Sequence, residues 1–240
     1  MKKLLFVTSA VIALTSIPSL ALADVAYNIG VVTDYRYRAI SQTRLKPALQ
    51  GGVDYSNAGL YLGAWASTIR WIKDAKGDSN IELDLYGGYR GEISKGLGYD
   101  VGLLSYVYSG NKLKPSANTT EIYGALSYGA FTAKYSHATS NLFGFARSSG
   151  SGYLDLGASF EIADGWLVAP HLGVQSVRRN SVYSYTDYAL TLSKDFSGVA
   201  FSAALIGASV DKVAGVPVYA SPAGKDLGRT ALVLGVKYSF

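Results

Sequence analysis

The C-terminal run from Thr230 to Phe240 alternates between two kinds of side chain, and this pattern limits what the chain can fold into. One set is mostly large and apolar and ends on Tyr238 and Phe240, whereas the other is mostly small or charged and includes Gly235 and Lys237. Successive side chains of a β-strand point to opposite faces of a sheet. Because an unpaired strand leaves a row of open backbone groups, the run predicts a sheet that closes on itself.

Twelve segments of the chain show this kind of alternation. In Ile81–Tyr86, for example, three aliphatic residues alternate with two acids and a tyrosine. Most of the segments have about the 9–11 residues that a tilted strand needs to cross a bilayer. The segments are 25–35, 47–56, 59–69, 80–90, 98–108, 119–128, 130–139, 152–162, 166–177, 185–195, 198–209 and 227–240.

Short and long connections alternate between these segments. The short ones lie near 57–58, 91–97, 129, 163–165 and 197, and the long ones near 36–46, 70–79, 109–118, 140–151, 178–184 and 210–226. Outer-membrane barrels have an even number of strands, short periplasmic turns and longer outer loops. A soluble β-sandwich has no reason to sort its loops by length. The sequence therefore predicts an all-β fold: a single transmembrane antiparallel β-barrel of about 12 strands, with both termini on the periplasmic side.

The N-terminal residues 1–23 have the features of a secretory signal peptide. Lys2 and Lys3 precede an apolar stretch, and Ala21-Leu22-Ala23 forms a small-residue cleavage site. The apolar stretch is too short to span about 30 Å of hydrocarbon as a helix. We expect cleavage after Ala23, a barrel domain over 24–240, and a location in the outer membrane of a Gram-negative bacterium.

Composition narrows the class of protein further. The chain has 27 Gly and 19 Tyr with only 16% charged residues, which suits a barrel with strand bends and interfacial tyrosines better than a soluble domain. It has no Cys, which excludes disulfides, thiol chemistry and lipoprotein modification. The net charge of +5 is too small to indicate a nucleic-acid partner.

Several stretches resemble the TorF family of proteobacterial porins. The most specific is Thr33–Thr43, with its Arg38-Ala39-Ile40-Ser41-Gln42-Thr43 core, in which Ala39 stands where the family pattern has Gly. The other stretches are Lys46–Gly52, Gly63–Ser67, Glu82–Tyr89, Asn118–Tyr123, Ala133–Ser136 and Ser184–Tyr188. The resemblance implies an outer-membrane barrel that acts as a channel. It implies no catalytic residues and no settled substrate.

The phase of the charged residues predicts a hydrated interior. A Lys or Arg facing lipid at the bilayer midplane costs about 2–4 kcal/mol, whereas a charge in a wet lumen costs little. These charges either tune the passage of solutes or pair across strands and fill the interior, because about eight strands make a filled tube and 16–18 an open channel. The predicted pore-lining residues are Asp54, Glu82, Asp84, Arg90, Asp100, Glu121, Lys134, Asp155, Glu161, His171, Asp187, Arg229 and Lys237.

The predicted outer loops are basic, and three interpretations of this excess stay open. The cations could focus anionic solutes at the mouth, hold phosphates of the outer-leaflet lipopolysaccharide, or form a solvated rim. Because a basic mouth lies over an acidic interior, ion preference stays ambiguous. The main candidates are Arg36, Arg38, Arg44, Lys46, Arg178 and Arg179.

An enzyme is the rival class, and the sequence gives it little support. Only two His are present, His137 and His171, each isolated in sequence, and no Gly-x-Ser-x-Gly motif accompanies them. Without Cys, soft-metal sites lack ligands, although Glu82 and Asp84 share a face and could contact a divalent cation. We therefore expect no catalytic residues and no cofactor.

The expected function is passive diffusion of small hydrophilic solutes or ions through a porin-like channel. The alternative is a non-conducting structural or adhesive barrel, in which the apolar part of the loop 210–226 forms a lid or contacts a partner. Tyr238 and Phe240 resemble the C-terminal signal that the barrel assembly machinery recognises. The oligomeric state is left open.

Overall fold

The computed structural model describes residues 24–240, and the predicted signal peptide over 1–23 lies outside the described residues. Short helical turns, Trp71–Asp74 and Ser181–Tyr183, occur in long connections. Within the described part, no helix is long and apolar enough to cross a membrane. The wall strands are β1 (Asp24–Val32), β2 (Ala48–Asn57), β3 (Leu60–Thr68), β4 (Ile81–Ser94), β5 (Leu97–Val107), β6 (Thr119–Tyr128), β7 (Phe131–Ala138), β8 (Gly152–Ala158, continued as Phe160–Ala163), β9 (Trp166–Ser176), β10 (Tyr185–Phe196), β11 (Val199–Ser209) and β12 (Ala231–Ser239).

Each strand pairs antiparallel with its neighbours in the chain, and β1 pairs with β12 to close the ring. The closing register runs from Asn28 opposite Ser239 to Val32 opposite Gly235. The predicted antiparallel barrel of twelve strands is therefore confirmed. Three predicted boundaries were wrong. β1 ends at Val32 and β12 begins at Ala231, because the residues beyond them leave the wall as loop structure. β4 runs on to Ser94, because residues 91–94 still pair with β5.

The short connections are tight turns with a defined backbone geometry. Three of them place both central residues at positive φ: Ala58-Gly59, Asp164-Gly165 and Ser197-Gly198. Two-residue hairpins of this kind match the twist of the flanking strands, and glycine tolerates the required φ. These turns fix the register of the wall at the end opposite the long loops.

Side chains sort by face as the alternation predicts. Leu83 and Leu85 are 36% and 45% exposed on the outer surface, whereas Glu82 and Asp84 between them are 1% and 9% exposed. Aromatic rings gather at the end with the short turns, and Tyr27 stacks on Phe240 with ring centroids 5.8 Å apart. This arrangement matches the apolar band and aromatic girdle of membrane barrels. The role of Tyr238 and Phe240 as an assembly signal stays a prediction.

Replacing Gly59 with Ala should destabilise the barrel more than replacing Gly165 with Ala. Both glycines have positive φ, which costs an L-residue about 1–2 kcal/mol. A Cβ at Gly59 would also lie 2.5 Å from the Arg90 carbonyl oxygen, whereas none of the described atoms lies within 4 Å of a Cβ at Gly165. Urea titration in lipid vesicles measures the two free energies of unfolding, and equal losses would contradict the predicted backbone contact.

Candidate functional site

The first long connection, residues 33–47, folds back into the barrel, and we call it loop 1. Its centre is a small hairpin in which Arg36–Tyr37 pairs with Ile40–Ser41. The turn residues Arg38 and Ala39 have φ of 45° and 64°, which explains why Gly would suit position 39. Hydrogen bonds from loop 1 reach β4, β6, β9 and β11, so the hairpin lies inside the ring of strands.

Two basic residues expected at an exposed mouth lie buried in the lumen instead. Arg36 and Arg38 are only 4% and 7% exposed. The Arg38 guanidinium donates to Glu121 Oε2 on β6 and to Gln175 Oε1 on β9, at 2.7 Å in each case. Charge explains why these side chains are buried: acidic residues on the lumen wall attract cations, and loop 1 carries Arg38 into the lumen.

Arg38 is also enclosed by aromatic rings. Its guanidinium carbon lies 4.1 Å from the ring centroid of Tyr153 and 4.8 Å from that of Tyr37. Burial opposes the charged form, but Glu121 outweighs it and raises the pKa of Arg38 well above its usual value. The guanidinium is therefore a permanent positive charge inside the lumen, and it is hydrogen-bonded to β6 and to β9.

Loop 1 holds its own shape through Asp34. The Asp34 carboxylate accepts hydrogen bonds from Arg36 Nε at 2.8 Å and from Ser41 Oγ at 2.5 Å. Arg36 in turn donates to the carbonyl oxygen of Arg229 at 2.7 Å, just before β12. The hairpin is thus tied internally and also to the last outer loop.

The acidic side of the lumen faces the start of loop 1. Tyr35 donates its hydroxyl to Glu82 Oε1 at 2.5 Å. The buried Asp84 Oδ1 has no hydrogen-bond partner among the described residues. No group of three or more His, Asp or Glu side chains among residues 24–240 is arranged to hold a metal ion, so the suggested cation contact of Glu82 and Asp84 gains no support.

A histidine between two carboxylates forms the opposite wall. His171 Nδ1 lies 3.0 Å from Asp155 Oδ1, and His171 Nε2 lies 2.8 Å from Asp187 Oδ1. An ionised carboxylate only accepts hydrogen bonds, so this geometry favours the imidazolium form, in which both nitrogens donate. Gly173 leaves room for the cluster, because a Cβ there would clash with the Tyr153 hydroxyl. His171 faces inward as the alternation indicated, but it is not isolated.

Below loop 1, towards the short turns, the interior is more accessible. Tyr61 donates to Asp100 Oδ1 at 2.5 Å, and the Lys134 ammonium lies 3.8 Å from the ring centroid of Tyr123. The predicted lining residues of this half are half-buried: Asp54, Arg90, Asp100, Lys134 and Lys237. The lumen is therefore filled in its outer half and more open in its inner half.

Two of the predicted lining residues lie elsewhere. Glu161 is exposed near the end of β8 that adjoins the short turn to β9. Arg229 precedes β12, and its side chain is exposed although its carbonyl accepts the bond from Arg36. Glu161 falls at the end of a strand and Arg229 lies before one, where alternation no longer decides which side chains face the lumen.

The remaining basic candidates lie at the outer rim. Arg44 pairs with Asp74 of the second outer loop, and Lys46 is exposed beside it. Arg178 is exposed and donates to the Ser149 carbonyl at 2.9 Å, and Arg179 is exposed next to it. A pocket of about 430 Å³ at the rim contains Arg44 and Lys46 but neither Arg178 nor Arg179.

The last outer loop does not enter the lumen as loop 1 does. Its Val213 and Val216 are 58% and 51% exposed. Its Tyr219 packs on Tyr183 of the neighbouring loop and on Tyr185 at the start of β10, with ring centroids 5.8 and 5.4 Å apart. These contacts join the outer loops to one another around the mouth.

Sequence reasoning missed several residues that hold loop 1. Tyr35, Tyr153 and Gln175 make key contacts. Tyrosine occurs 19 times in the chain, so no single Tyr stood out, and no motif marked Gln175. One signal was present, because Tyr37 put an aromatic residue in the predicted connection 36–46, close to Tyr35 at the end of the predicted strand 25–35.

Solved structures with a similar fold are porins. The "KdgM porin" aligns with 10% identity and a TM-score of 0.57, covering 91% of this chain and 99% of that one. A "KdgM porin in complex with disordered oligogalacturonate" aligns with 9% identity, a TM-score of 0.55 and the same coverage. The "NanC porin" aligns with 11% identity and a TM-score of 0.55, covering 90% and 99%. At this identity the likeness shows the fold.

No curated protein matches the sequence. The TorF attribution stays a prediction, because the matching family profile carries no such name. That profile matches residues 20–240, nearly the whole chain. The protein therefore belongs to the family described as "Bacterial protein of unknown function (Gcw_chp)".

Proposed function

We propose that the protein is a porin-like channel of the outer membrane that admits small hydrophilic solutes or ions by passive diffusion. The observation that carries this proposal is a barrel interior lined by charged and hydroxyl-bearing groups and occupied in its outer half by loop 1. Such an interior favours polar cargo over apolar cargo. The similar porin folds support the same class of function.

Loop 1 is, in this proposal, the constriction that sets the size of the pathway. Polar contacts hold it to the wall, among them the Arg38–Glu121 ion pair, and Tyr35, Ala39 and Ile40 pack in apolar clusters. Water in a wetted lumen can replace the polar contacts when the loop moves. The specific solute stays open. The oligogalacturonate in the KdgM complex makes an acidic saccharide one candidate to test.

A non-conducting barrel is the second candidate, and the same loop favours it. Arg38 bridges β6 and β9 and is buried, so a loop that never moves would leave the barrel plugged. Enzyme chemistry has less support: the described partners of the His171 cluster are carboxylates and the Tyr153 phenol, with no serine or threonine nucleophile bonded to it.

The proposed partners follow from the proposed location of the barrel in the outer membrane. We infer contact with outer-membrane lipids and lipopolysaccharide along the apolar band and the basic rim. We also infer insertion by the barrel assembly machinery through the strand that ends in Tyr238 and Phe240. Neither inference needs the lumen to conduct.

Replacing Arg36–Ser41 with a short Gly-Ser linker should raise single-channel conductance in a planar bilayer several-fold, because it removes the hairpin from the lumen. The matched control replaces Val213–Val216, an exposed segment of the last outer loop. Unchanged conductance in the loop 1 variant, with correct folding shown by heat-modifiable electrophoretic mobility, would rule out loop 1 as the constriction.

Breaking the Arg38–Glu121 ion pair should loosen loop 1. Arg38→Gln leaves Glu121 buried without its counter-ion, and losing one partner of a buried pair costs about 3–5 kcal/mol. The double variant Arg38→Gln/Glu121→Gln removes the orphaned charge, so it should recover most of the stability but keep the raised open probability. If the double variant gates like the wild type, the ion pair does not hold the loop closed.

Neutralising acids of the outer half should shift ion selectivity toward anions. In a salt gradient, Glu82→Gln/Asp84→Asn should move the reversal potential in the anion direction, since both carboxylates lie in the lumen. Asp164→Asn in a short turn is the control and should leave the potential unchanged. A shift of the same size in both variants would mean that the lumen acids do not set selectivity.

A further inference from the structure

The rim pocket of about 430 Å³ gathers cations from three separate stretches of the chain. It is lined by Arg44, Lys46, Pro47, Arg70, Ser221, Pro222, Ala223 and Lys225. These residues belong to loop 1, the second outer loop and the last outer loop. The lining contains no acidic residue.

The cations in the pocket are only partly neutralised. Arg44 pairs with Asp74, and no other ion pair with a described carboxylate is formed by the lining residues. Like charges brought together raise the free energy of the site, and an anion between them lowers it. The pocket therefore carries a local positive charge that a ligand of opposite sign would satisfy.

The backbone that carries these cations is ordered by hydrogen bonds. Arg70 N–H donates to the Gln42 carbonyl at 2.8 Å, which ties the second outer loop to loop 1. In the last outer loop, Ser221 N–H donates to the Lys225 carbonyl at 2.9 Å and Lys225 N–H donates to Ser221 Oγ at 3.1 Å. The backbone that carries the cations is thus ordered before a ligand binds, which lowers the entropic cost of ligand binding.

The pocket lies where the lipid-facing wall ends. Lys46 and Pro47 directly precede β2, and Leu49 on that strand is 54% exposed on the outer surface. Arg70 follows the end of β3 at Thr68 by two residues. At about 3.3 Å per extended residue, these cations lie within roughly 10 Å of the apolar wall, at the depth of lipid headgroups.

We propose that this pocket binds a phosphate ester carried on a saccharide. Arginine forks bind phosphate oxygens in pairs, and lysines add point charges. The volume is larger than one phosphate needs and falls within the range of about 300–1,000 Å³ typical of small-molecule sites. A phosphorylated sugar can come from the headgroup of an outer-leaflet glycolipid or from a soluble sugar phosphate. The site is independent of whether the barrel conducts.

The test compares two variants that remove the same charge. Lys46→Gln/Arg70→Gln/Lys225→Gln removes three cations from the pocket, and Lys114→Gln/Arg147→Gln/Arg179→Gln removes three exposed cations from other outer loops. The folded barrel is placed in phosphatidylcholine nanodiscs with or without diphosphoryl lipid A, and bound lipid is measured by native mass spectrometry. Glucosamine 1-phosphate is the soluble probe, measured by calorimetry.

The wild type and the control variant should bind lipid A alike, and the pocket variant should bind it roughly a hundredfold more weakly, since each basic group near an anionic headgroup contributes about 1 kcal/mol. Binding of glucosamine 1-phosphate that needs the same three residues, with no preference for lipid A, supports the site with a soluble ligand. Equal binding by the two variants, or no binding of either probe, overturns the proposal. Single-channel conductance of the same variants reports separately on the channel function.

Discussion

Every backbone N–H and C=O group that faces hydrocarbon must find its partner within the protein, and this constraint shapes the whole molecule. A sheet meets it only by closing, which the pairing of β1 with β12 achieves from Asn28–Ser239 to Val32–Gly235. Closure then divides the side chains of each strand into two populations. The outward set has to be apolar, so charges on the wall strands accumulate in the interior.

An interior that collects charge has to neutralise it, and loop 1 supplies what the wall lacks. The outer half of the wall contributes Glu82, Glu121 and Asp187, and loop 1 brings Arg38 to the Glu121 carboxylate at 2.7 Å. The sequence indicates a basic mouth and an acidic lumen as separate regions, but the Arg38–Glu121 pair joins a residue of each in one site. In the proposed channel, selectivity would depend on lumen groups outside this pair, such as Asp84, whose Oδ1 has no hydrogen-bond partner among the described residues, and on the rim cations outside the lumen.

The alternation of apolar and polar residues predicted the strands of the barrel wall, because this alternation arises from local backbone geometry. A period of two along Ile81–Tyr86 follows from backbone geometry and needs no knowledge of other strands. The path of loop 1 could not be predicted in this way, since Arg38 reaches Glu121 and Gln175 across 83 and 137 residues of sequence. The same limit applies to His171, whose two carboxylate partners lie on neighbouring strands whose register the sequence did not reveal.

A twelve-stranded barrel lies between the tube of about eight strands that side chains fill and the 16–18 strands that leave an open channel, so a loop that enters it occupies much of the lumen. What holds that loop then decides function. The contacts of Arg36 and Arg38 are charge-assisted, and each contributes about 1.5–3 kcal/mol net. Loop 1 also buries Tyr35, Ala39 and Ile40, and it would lose that burial on opening, whereas the charged groups can exchange their partners for lumen water. In the proposed channel, the apolar contacts of loop 1 would keep it in the pathway, and the exchangeable polar contacts would lower the cost of moving it out.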